Sequence, residues 1–413
     1  MRVLIINTSE RVGGAAIAAN RLMEALKKQG VKAKMLVRDK QTDRLTVMSV
    51  GHGWMQPLKF LWERFCVFVG NGFSRKHLFE VDLANTGTDV TKHTEFVRAD
   101  VIHLHWVNQG FLSLRDLERI FRSGKPVVVT LHDQWYFTGV CHYSSDCEKY
   151  RTLCHDCELL KGKLVGDLAR RVFKIKQRIY ADASITFVGC SQWMAELART
   201  SCLTRGHRVV SIPNAIDTEV FCPLDRRQAR EPFRLPTDKQ LILFSCQRIT
   251  DKRKGFTLLV EALKLIKQQH PDVAAGTEIV VVGGAAENVR SLVPFDIIPI
   301  PYVSDTKQMV QLYNASDIYV TPSLQDNLPN TIMEAMACGV PCVGFNVGGI
   351  PEMIDHEQTG YVAAYKDHAD LANGILWTLN ADRDTLSRNA RNKVMVTYSE
   401  SAVAHKYQEV YGY

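Results

Sequence analysis

The stretch Val3-Leu4-Ile5-Ile6-Asn7-Thr8-Ser9-Glu10-Arg11-Val12-Gly13-Gly14 decides the fold. Four aliphatic residues closed by a polar run read as a buried strand, and the adjacent glycines open a helical pattern that begins near Ala15. A strand that passes through glycines into a helix is the first step of a parallel-sheet, nucleotide-type fold. Glycine lets backbone N–H groups approach a phosphate, and the helix dipole favours its charge, so Gly13 and Gly14 are candidate phosphate-binding residues. The competing reading is that they only turn the chain. The spacing is not G-x-G-x-x-G, which disfavours a nicotinamide cofactor.

Outward from this stretch, short aliphatic runs at 31–37, 101–104, 126–131 and 185–188 alternate with helical patterns, the first helix ending at Gly30. After Ile212-Pro213-Asn214 a second series begins, with strands at 241–246, 278–282, 318–321 and 341–345 and helices at 257–268 and 306–314. A chain of 413 residues, 46% apolar and 23% charged, is too long for one core and ordinary in composition. The fold expected is α/β: two Rossmann-like doubly wound domains facing across a cleft, where open sheets bind ligands. The proline-containing segment 213–236 is read as the linker, with an N-terminal domain at 1–205, a C-terminal domain at 206–397 and a final capped helix at 398–413. No short-period repeat interrupts this pattern.

The net charge of +7 suits an anionic ligand or an anionic membrane surface, and is spread too thinly for a nucleic-acid protein. No window reaches the roughly 18 apolar residues of a membrane span, and the run at 3–6 breaks too soon for a signal peptide. A cytoplasmic protein is expected, with a peripheral place at the inner membrane face left open. The stretch 57–79 carries Phe60, Leu61, Trp62, Phe65, Val67, Phe68, Val69 and Phe73 among Lys59, Arg64, Arg75 and Lys76. It suits either a membrane-surface helix or an ordinary core helix. Eleven cysteines in an intracellular chain are expected to be thiols or metal ligands. Cys141, Cys147, Cys154 and Cys157, the last two a C-x2-C pair, suit a closed structural zinc site; unmetallated thiols or one disulfide suit them equally.

Two stretches of the second series carry chemistry. The strand at 241–246 runs into Gln247-Arg248-Ile249-Thr250-Asp251-Lys252-Arg253-Lys254-Gly255, whose cations at a strand end can neutralise a leaving diphosphate. A solvated basic loop is the bland alternative. The stretch from Thr321 to Pro341 places Asp326 in a loop and Glu334 on a short helix opening at Asn330 and Thr331, so that phosphate can sit at its N-terminus and sugar hydroxyls on the carboxylates. Alone, a capping Asp and a surface Glu would serve as well.

Taken together, Gly13-Gly14, Thr130-Leu131-His132-Asp133, Ile212-Pro213-Asn214-Ala215-Ile216-Asp217, Arg248 with Lys254, and Asp326 through Gly339 resemble the family-4 retaining glycosyltransferases of the GT-B fold, of the kind that build bacterial surface polysaccharides. The resemblance implies that Arg248 and Lys254 bind the donor diphosphate, that Glu334 binds the ribose, and that Asp326 faces the donor sugar. It places Val303, within Pro301-Tyr302-Val303, at the nucleobase, and His132 in the cleft beside the transferring sugar. His103 and His105 pack or line the acceptor side. Asp326 stands where the family's E-x7-E signature begins with Glu, and Asn327-Leu328-Pro329-Asn330 replaces the commoner Gly-Phe-Gly-Leu.

The implied activity is transfer of a sugar from a nucleotide-diphosphate-sugar donor to a glycan or lipid-linked acceptor, with retention and no catalytic cofactor. No Asp-x-Asp pair is read in the chain, so no divalent cation is expected. The catalytic set is His132, Asp326, Arg248 and Lys254; the donor-binding set adds Gly13, Gly14, Val303, Asn330, Thr331 and Glu334. A sugar-nucleotide epimerase and a catalytically silent sugar-nucleotide-binding subunit are the alternatives.

Overall fold

The computed structural model describes residues 1–51, 53–162 and 166–412. The chain divides into two compact units, Met1–Ala215 with Val403–Tyr413, and Ile216–Ala402. Tyr413, the last residue of the expected final helix, lies outside the described residues.

The first unit is built on β1 (Arg2–Ser9), β2 (Lys32–Asp39), β3 (Val47–Ser49), β4 (Val101–Leu104), β5 (Val127–Leu131), β6 (Ile185–Gly189) and β7 (Arg208–Ser211). All pair in parallel, in the order β3-β2-β1-β4-β5-β6-β7. The sheet is covered on both faces, which is why its central strands read as unbroken aliphatic runs. Leu4, Ile6, Ile102, Leu104, Val127 and Val129 pack into one core, while Val3, Ile5, Val101 and Val128 alternate into another. The second of these cores includes Val403, Ala404, Tyr407 and Tyr411 of the last helix, Glu400–Tyr411.

The second unit carries β8 (Gln240–Arg248), β9 (Thr277–Gly284), β10 (Ile297–Ile300), β11 (Ile318–Thr321), β12 (Cys342–Phe345) and β13 (Gly360–Ala363), parallel in the order β10-β9-β8-β11-β12-β13. In both sheets the strand order reverses once, between β1 and β4 and between β8 and β11. A doubly wound sheet opens a crevice at the carboxyl ends of the two strands flanking such a reversal.

The unit boundaries differ from those read in the sequence. Pairing of β7 with β6 carries the first unit past 205 to Ala215. Residues 398–402, read with the last helix, stay with the second unit, where the Ile216 N–H donates to the Tyr398 carbonyl at 2.9 Å.

Candidate active site

In the second unit the reversal point gathers the expected donor residues. A bulge between Ser245 and Arg248 ends β8 and turns the exposed Arg248 off the regular pleat. A short turn follows, Lys252–Lys254, capped by Asp251, which accepts from the Arg253 N–H at 3.0 Å. Gly255 then opens the helix Phe256–Gln269 with φ 69°. Lys254 Nζ reaches across to Asp326 Oδ2, in the loop after β11, at 2.7 Å. The Asp326 carboxylate holds the Lys254 ammonium above its usual range.

Two glycines fix that loop. A Cβ on Gly255 would stand 1.7 Å from the Pro322 carbonyl oxygen, and one on Gly348 1.7 Å from that of Asp326. The loop carrying Asp326 is thus pinched between the segments after β8 and β12, which only glycine permits. Beyond it, the helix Asn330–Ala337 begins with no side-chain cap on its first turn, an arrangement suited to an anion. Glu334 on this helix is buried, and its Oε2 accepts from Tyr313 Oη at 2.8 Å. Thr331 bonds the buried Tyr319 hydroxyl. Val303 stands just past β10, the edge strand of the same sheet. Arg248, Lys254, Val303, Asp326, Asn330, Thr331 and Glu334 therefore all lie at or beyond the carboxyl ends of this sheet.

In the first unit, Gly13 adopts φ 91° and precedes the helix Gly14–Lys28, again without a side-chain cap. The buried Glu10 braces this loop, with its carboxylate accepting from the Gln41 and Thr42 N–H groups at 2.7 and 2.9 Å. Asn7 and Thr8 tie β1 to the end of β4: Asn7 Oδ1 accepts from the Trp106 N–H at 2.9 Å, and Thr8 Oγ1 donates to the Asn108 carbonyl at 3.1 Å. At this reversal point, His105 Nε2 and both amide atoms of Asn108 are buried and make no hydrogen bond within the structure. Such groups call for a ligand or a water.

His132 follows β5. Its Nε2 lies 2.8 Å from His105 Nδ1 and its Nδ1 3.6 Å from Cys190 Sγ. Burial pushes its pKa down to about 4, so the ring is neutral at pH 7. With both ring nitrogens facing protein atoms, this imidazole is a held group rather than one poised to exchange a proton with a substrate. His103, in β4, bonds Thr130 Oγ1 at 2.7 Å and Tyr411 Oη at 2.7 Å, and burial pushes it down to about 3.

Beneath His132 lies a buried ionic cluster that no sequence motif announced. Asp133 accepts from Trp106 Nε1 at 2.8 Å and His142 Nδ1 at 2.7 Å; Asp82 accepts from His142 Nε2 at 3.2 Å and an Arg64 guanidinium N–H at 2.8 Å. Burial opposes charge on His142, but the Asp133 and Asp82 carboxylates outweigh it and raise its pKa to about 10. Glu63 goes the other way: burial, then Asp82, push it up to about 9. The cluster balances two cations, Arg64 and His142, against two anions and a protonated Glu63. That balance makes buried charge tolerable.

Two sequence readings meet the geometry here. Among the described residues no three His, Cys, Asp or Glu side chains gather in an arrangement that could hold a metal ion, Cys141, Cys147, Cys154 and Cys157 included, although these four thiols lie near enough to act on one another's charge. Cys147 is exposed, Cys141 sits in the core, and Cys154 Sγ accepts from the Gly139 N–H at 3.2 Å. Burial pushes the Cys141 and Cys154 thiols up to about 12, which keeps them protonated. Nor does the chain lack an Asp-x-Asp triplet: Asp382-Arg383-Asp384 is one. It opens the helix Arg383–Thr397, where Asp382 is the N-cap and accepts from the Asp384 N–H at 3.3 Å, a capping role.

The folds and reversal-point sites define a GT-B type of architecture, and solved structures agree. HepE from Anabaena, solved in complex with UDP-glucose, superposes with a TM-score of 0.63 at 16% identity, covering 100% of this chain and 99% of that one. Residues 12–220 match the family described as Glycosyltransferase Family 4, and residues 239–381 that described as Glycosyl transferases group 1. The chain belongs to glycosyltransferase family 4. Among curated relatives, D-inositol 3-phosphate glycosyltransferase 2 of Catenulispora acidiphila is 28% identical over 209 residues, 48% of this chain and 46% of that protein. The amylovoran biosynthesis glycosyltransferase AmsK of Erwinia amylovora is 25% identical over 283 residues, 62% of this chain and 65% of that protein. The chain thus spans less than two thirds of the length of either relative.

Proposed function

We propose that the chain transfers a sugar from a nucleotide-diphosphate-sugar to a glycan or lipid-linked acceptor in polysaccharide biosynthesis, with retention at C1 and without a metal ion. The observation that carries this reading is the set at the β8/β11 reversal: Arg248, the Lys254–Asp326 pair and Glu334 around an uncapped helix N-terminus. Family membership supports it, as do the UDP-glucose bound by HepE and the polysaccharide named for AmsK.

In this reading Arg248, Lys254 and the helix Asn330–Ala337 receive the diphosphate, and the buried Glu334 accepts from a ribose hydroxyl. As the bond from C1 to the phosphate oxygen breaks, negative charge grows on the leaving diphosphate, where the fixed cations and N–H dipoles stabilise it without a metal. The acceptor hydroxyl attacks from the leaving-group side; its oxygen bonds C1 and its proton passes to the departing phosphate. Asp326 faces the donor sugar while steadying Lys254. His132 acts by position, held between His105 and Cys190, and the unpartnered His105 and Asn108 groups offer hydrogen bonds to an acceptor hydroxyl.

The test is thermal-shift screening with UDP, GDP, ADP and their sugar conjugates in EDTA, followed by donor turnover and NMR of the product anomer. Stabilisation by one nucleotide class that is lost in Lys254→Ala, with turnover unaffected by EDTA and retained anomeric configuration, is the expected result. Turnover abolished by EDTA and restored by a divalent cation would overturn the metal-free mechanism.

A further inference from the structure

The helix Met55–Gly70 is amphipathic with its faces reversed. Its inner side carries the buried Glu63, Arg64, Val67 and Gly70. These two polar groups are tied into the protein: Glu63 accepts from the Ala84 N–H at 2.6 Å, and Arg64 bonds Asp82 and the Val81 carbonyl at 2.8 and 3.1 Å. On the opposite side stand Trp54, Met55, Leu58, Leu61, Trp62 and Phe65, each 50–76% exposed. Their spacing, 54/58/61/65 and 55/58/62/65, lines them along one stripe. No charged residue interrupts it.

Just past the helix, Phe73, Arg75, Lys76 and Phe79 are also exposed and give its C-terminal end a partly basic rim. Lys161 joins this rim, since its backbone N–H donates to Asn71 Oδ1 at 3.1 Å and its side chain is exposed. A folded chain rarely leaves so continuous an apolar surface in water. No helix among the described residues is long and apolar enough to cross a membrane. The features present are those of a helix that lies in a bilayer interface: a wide aliphatic and aromatic stripe, two tryptophans, and cations beside it rather than within it.

We propose that Trp54, Met55, Leu58, Leu61, Trp62 and Phe65 insert into the interfacial layer of a phospholipid bilayer, with Arg75, Lys76 and Lys161 drawing the chain to anionic headgroups. Charge complementarity selects this occupant over a second copy of the chain, which would bring the same cations together. The inference is independent of sugar transfer and would bring the first unit to the surface where a lipid-linked acceptor resides.

The experiment is flotation of the intact protein with phosphatidylcholine vesicles, with and without about one-third phosphatidylglycerol, alongside light scattering for oligomeric state. Expected is flotation with the anionic vesicles, weakened by about 0.5 M salt. The triple variant Leu61→Ser, Trp62→Ser, Phe65→Ser should lose bound fraction roughly tenfold with unchanged melting temperature, because the residues are already exposed. Arg75→Glu with Lys76→Glu should abolish the preference for anionic vesicles. Absence of flotation, flotation unaffected by the triple substitution, or a dimer that the triple substitution dissociates would each overturn the proposal.

Discussion

Lys254 Nζ and Asp326 Oδ2, 72 residues apart in sequence, stand 2.7 Å from one another and join the loops after β8 and β11, the two strands at which the second sheet reverses direction. The pair sets where the cation sits before any phosphate arrives, so little reorganisation remains for binding. Lys254→Ala should lower kcat/KM by about 100- to 1,000-fold, the scale of removing one preorganised charge-stabilising donor. Asp326→Asn should retain nucleotide binding while losing turnover, because the lysine remains but its placement and the contact to the sugar do not. Calorimetric titration with the nucleoside diphosphate beside steady-state kinetics separates the two. Equal loss of nucleotide affinity in both variants would refute the division of labour.

Gly255 holds the same geometry through the backbone. Its φ of 69° and the 1.7 Å approach of its would-be Cβ to the Pro322 carbonyl oxygen mean that any side chain must push the two loops apart. Gly255→Ala should destabilise the protein by about 2–4 kcal/mol, the combined scale of left-handed backbone strain and a steric clash. Urea denaturation measures the cost. A variant as stable as wild type would mean the loops move apart freely.

Tyr313 was invisible as a site residue because it lies 21 positions before Glu334 on another helix, Thr306–Ala315. Its hydroxyl donates to Glu334 Oε2 and aims the carboxylate. Tyr313→Phe should cost about 1 kcal/mol of stability for the lost bond. If Glu334 takes a ribose hydroxyl, the donor KM should rise several-fold with kcat nearly unchanged, the pattern of lost uniform binding. A fall in kcat at constant KM would instead place Glu334 at the reacting centre.

What the sequence made legible follows from burial. β1, β4, β5, β8, β9, β11 and β12 are covered on both faces and read as aliphatic runs. The strands not anticipated, β3, β7, β10 and β13, are the four sheet edges, three or four residues long and only partly buried. Arg248, Lys254, Asp326 and Glu334 stood out because each belongs to a local motif at a strand end. The cluster of Arg64, Asp82, Asp133 and His142 did not, since it exists only through contacts between distant segments, and the helix Met55–Gly70 could not be told from a core helix until Glu63 and Arg64 were seen to face inward.

The buried histidines give stability a two-sided pH dependence. His103 and His132, at about 3 and about 4 in the folded chain against an ordinary 6.5, bind protons in the unfolded state first. Their contribution is complete above pH 6.5 and is lost as pH falls toward 4 and 3, by up to ~1.4 kcal/mol per pH unit for each group. His142, raised to about 10, acts in reverse: its contribution is complete below pH 6.5 and is lost as pH rises toward 10. Glu63, raised to about 9, adds to the alkaline loss while Lys176, lowered to about 7, opposes it, so a variant isolates the histidine's share: His142→Gln should lessen the loss of urea midpoint between pH 6.5 and 10 and leave the acid limb unchanged. An alkaline limb unchanged in that variant would show that the cluster is not its source.

Asn108 offers the sharpest separation of stability from function. Its side chain is buried at the end of β4 with neither amide atom bonded within the structure, while its backbone carbonyl already accepts from Thr8 Oγ1. An unsatisfied buried amide costs roughly 1–3 kcal/mol, so a side chain of similar volume without polar atoms should relieve it. Asn108→Leu is expected to raise the unfolding free energy by about 1 kcal/mol. If the amide hydrogen-bonds the acceptor, the same variant should raise the acceptor KM while donor affinity, set by residues of the second unit, stays at the wild-type value. Greater stability with unaltered acceptor kinetics would mean that the Asn108 amide is unsatisfied and does not meet the acceptor; reduced stability would mean that an ordered water satisfies its amide in the folded chain.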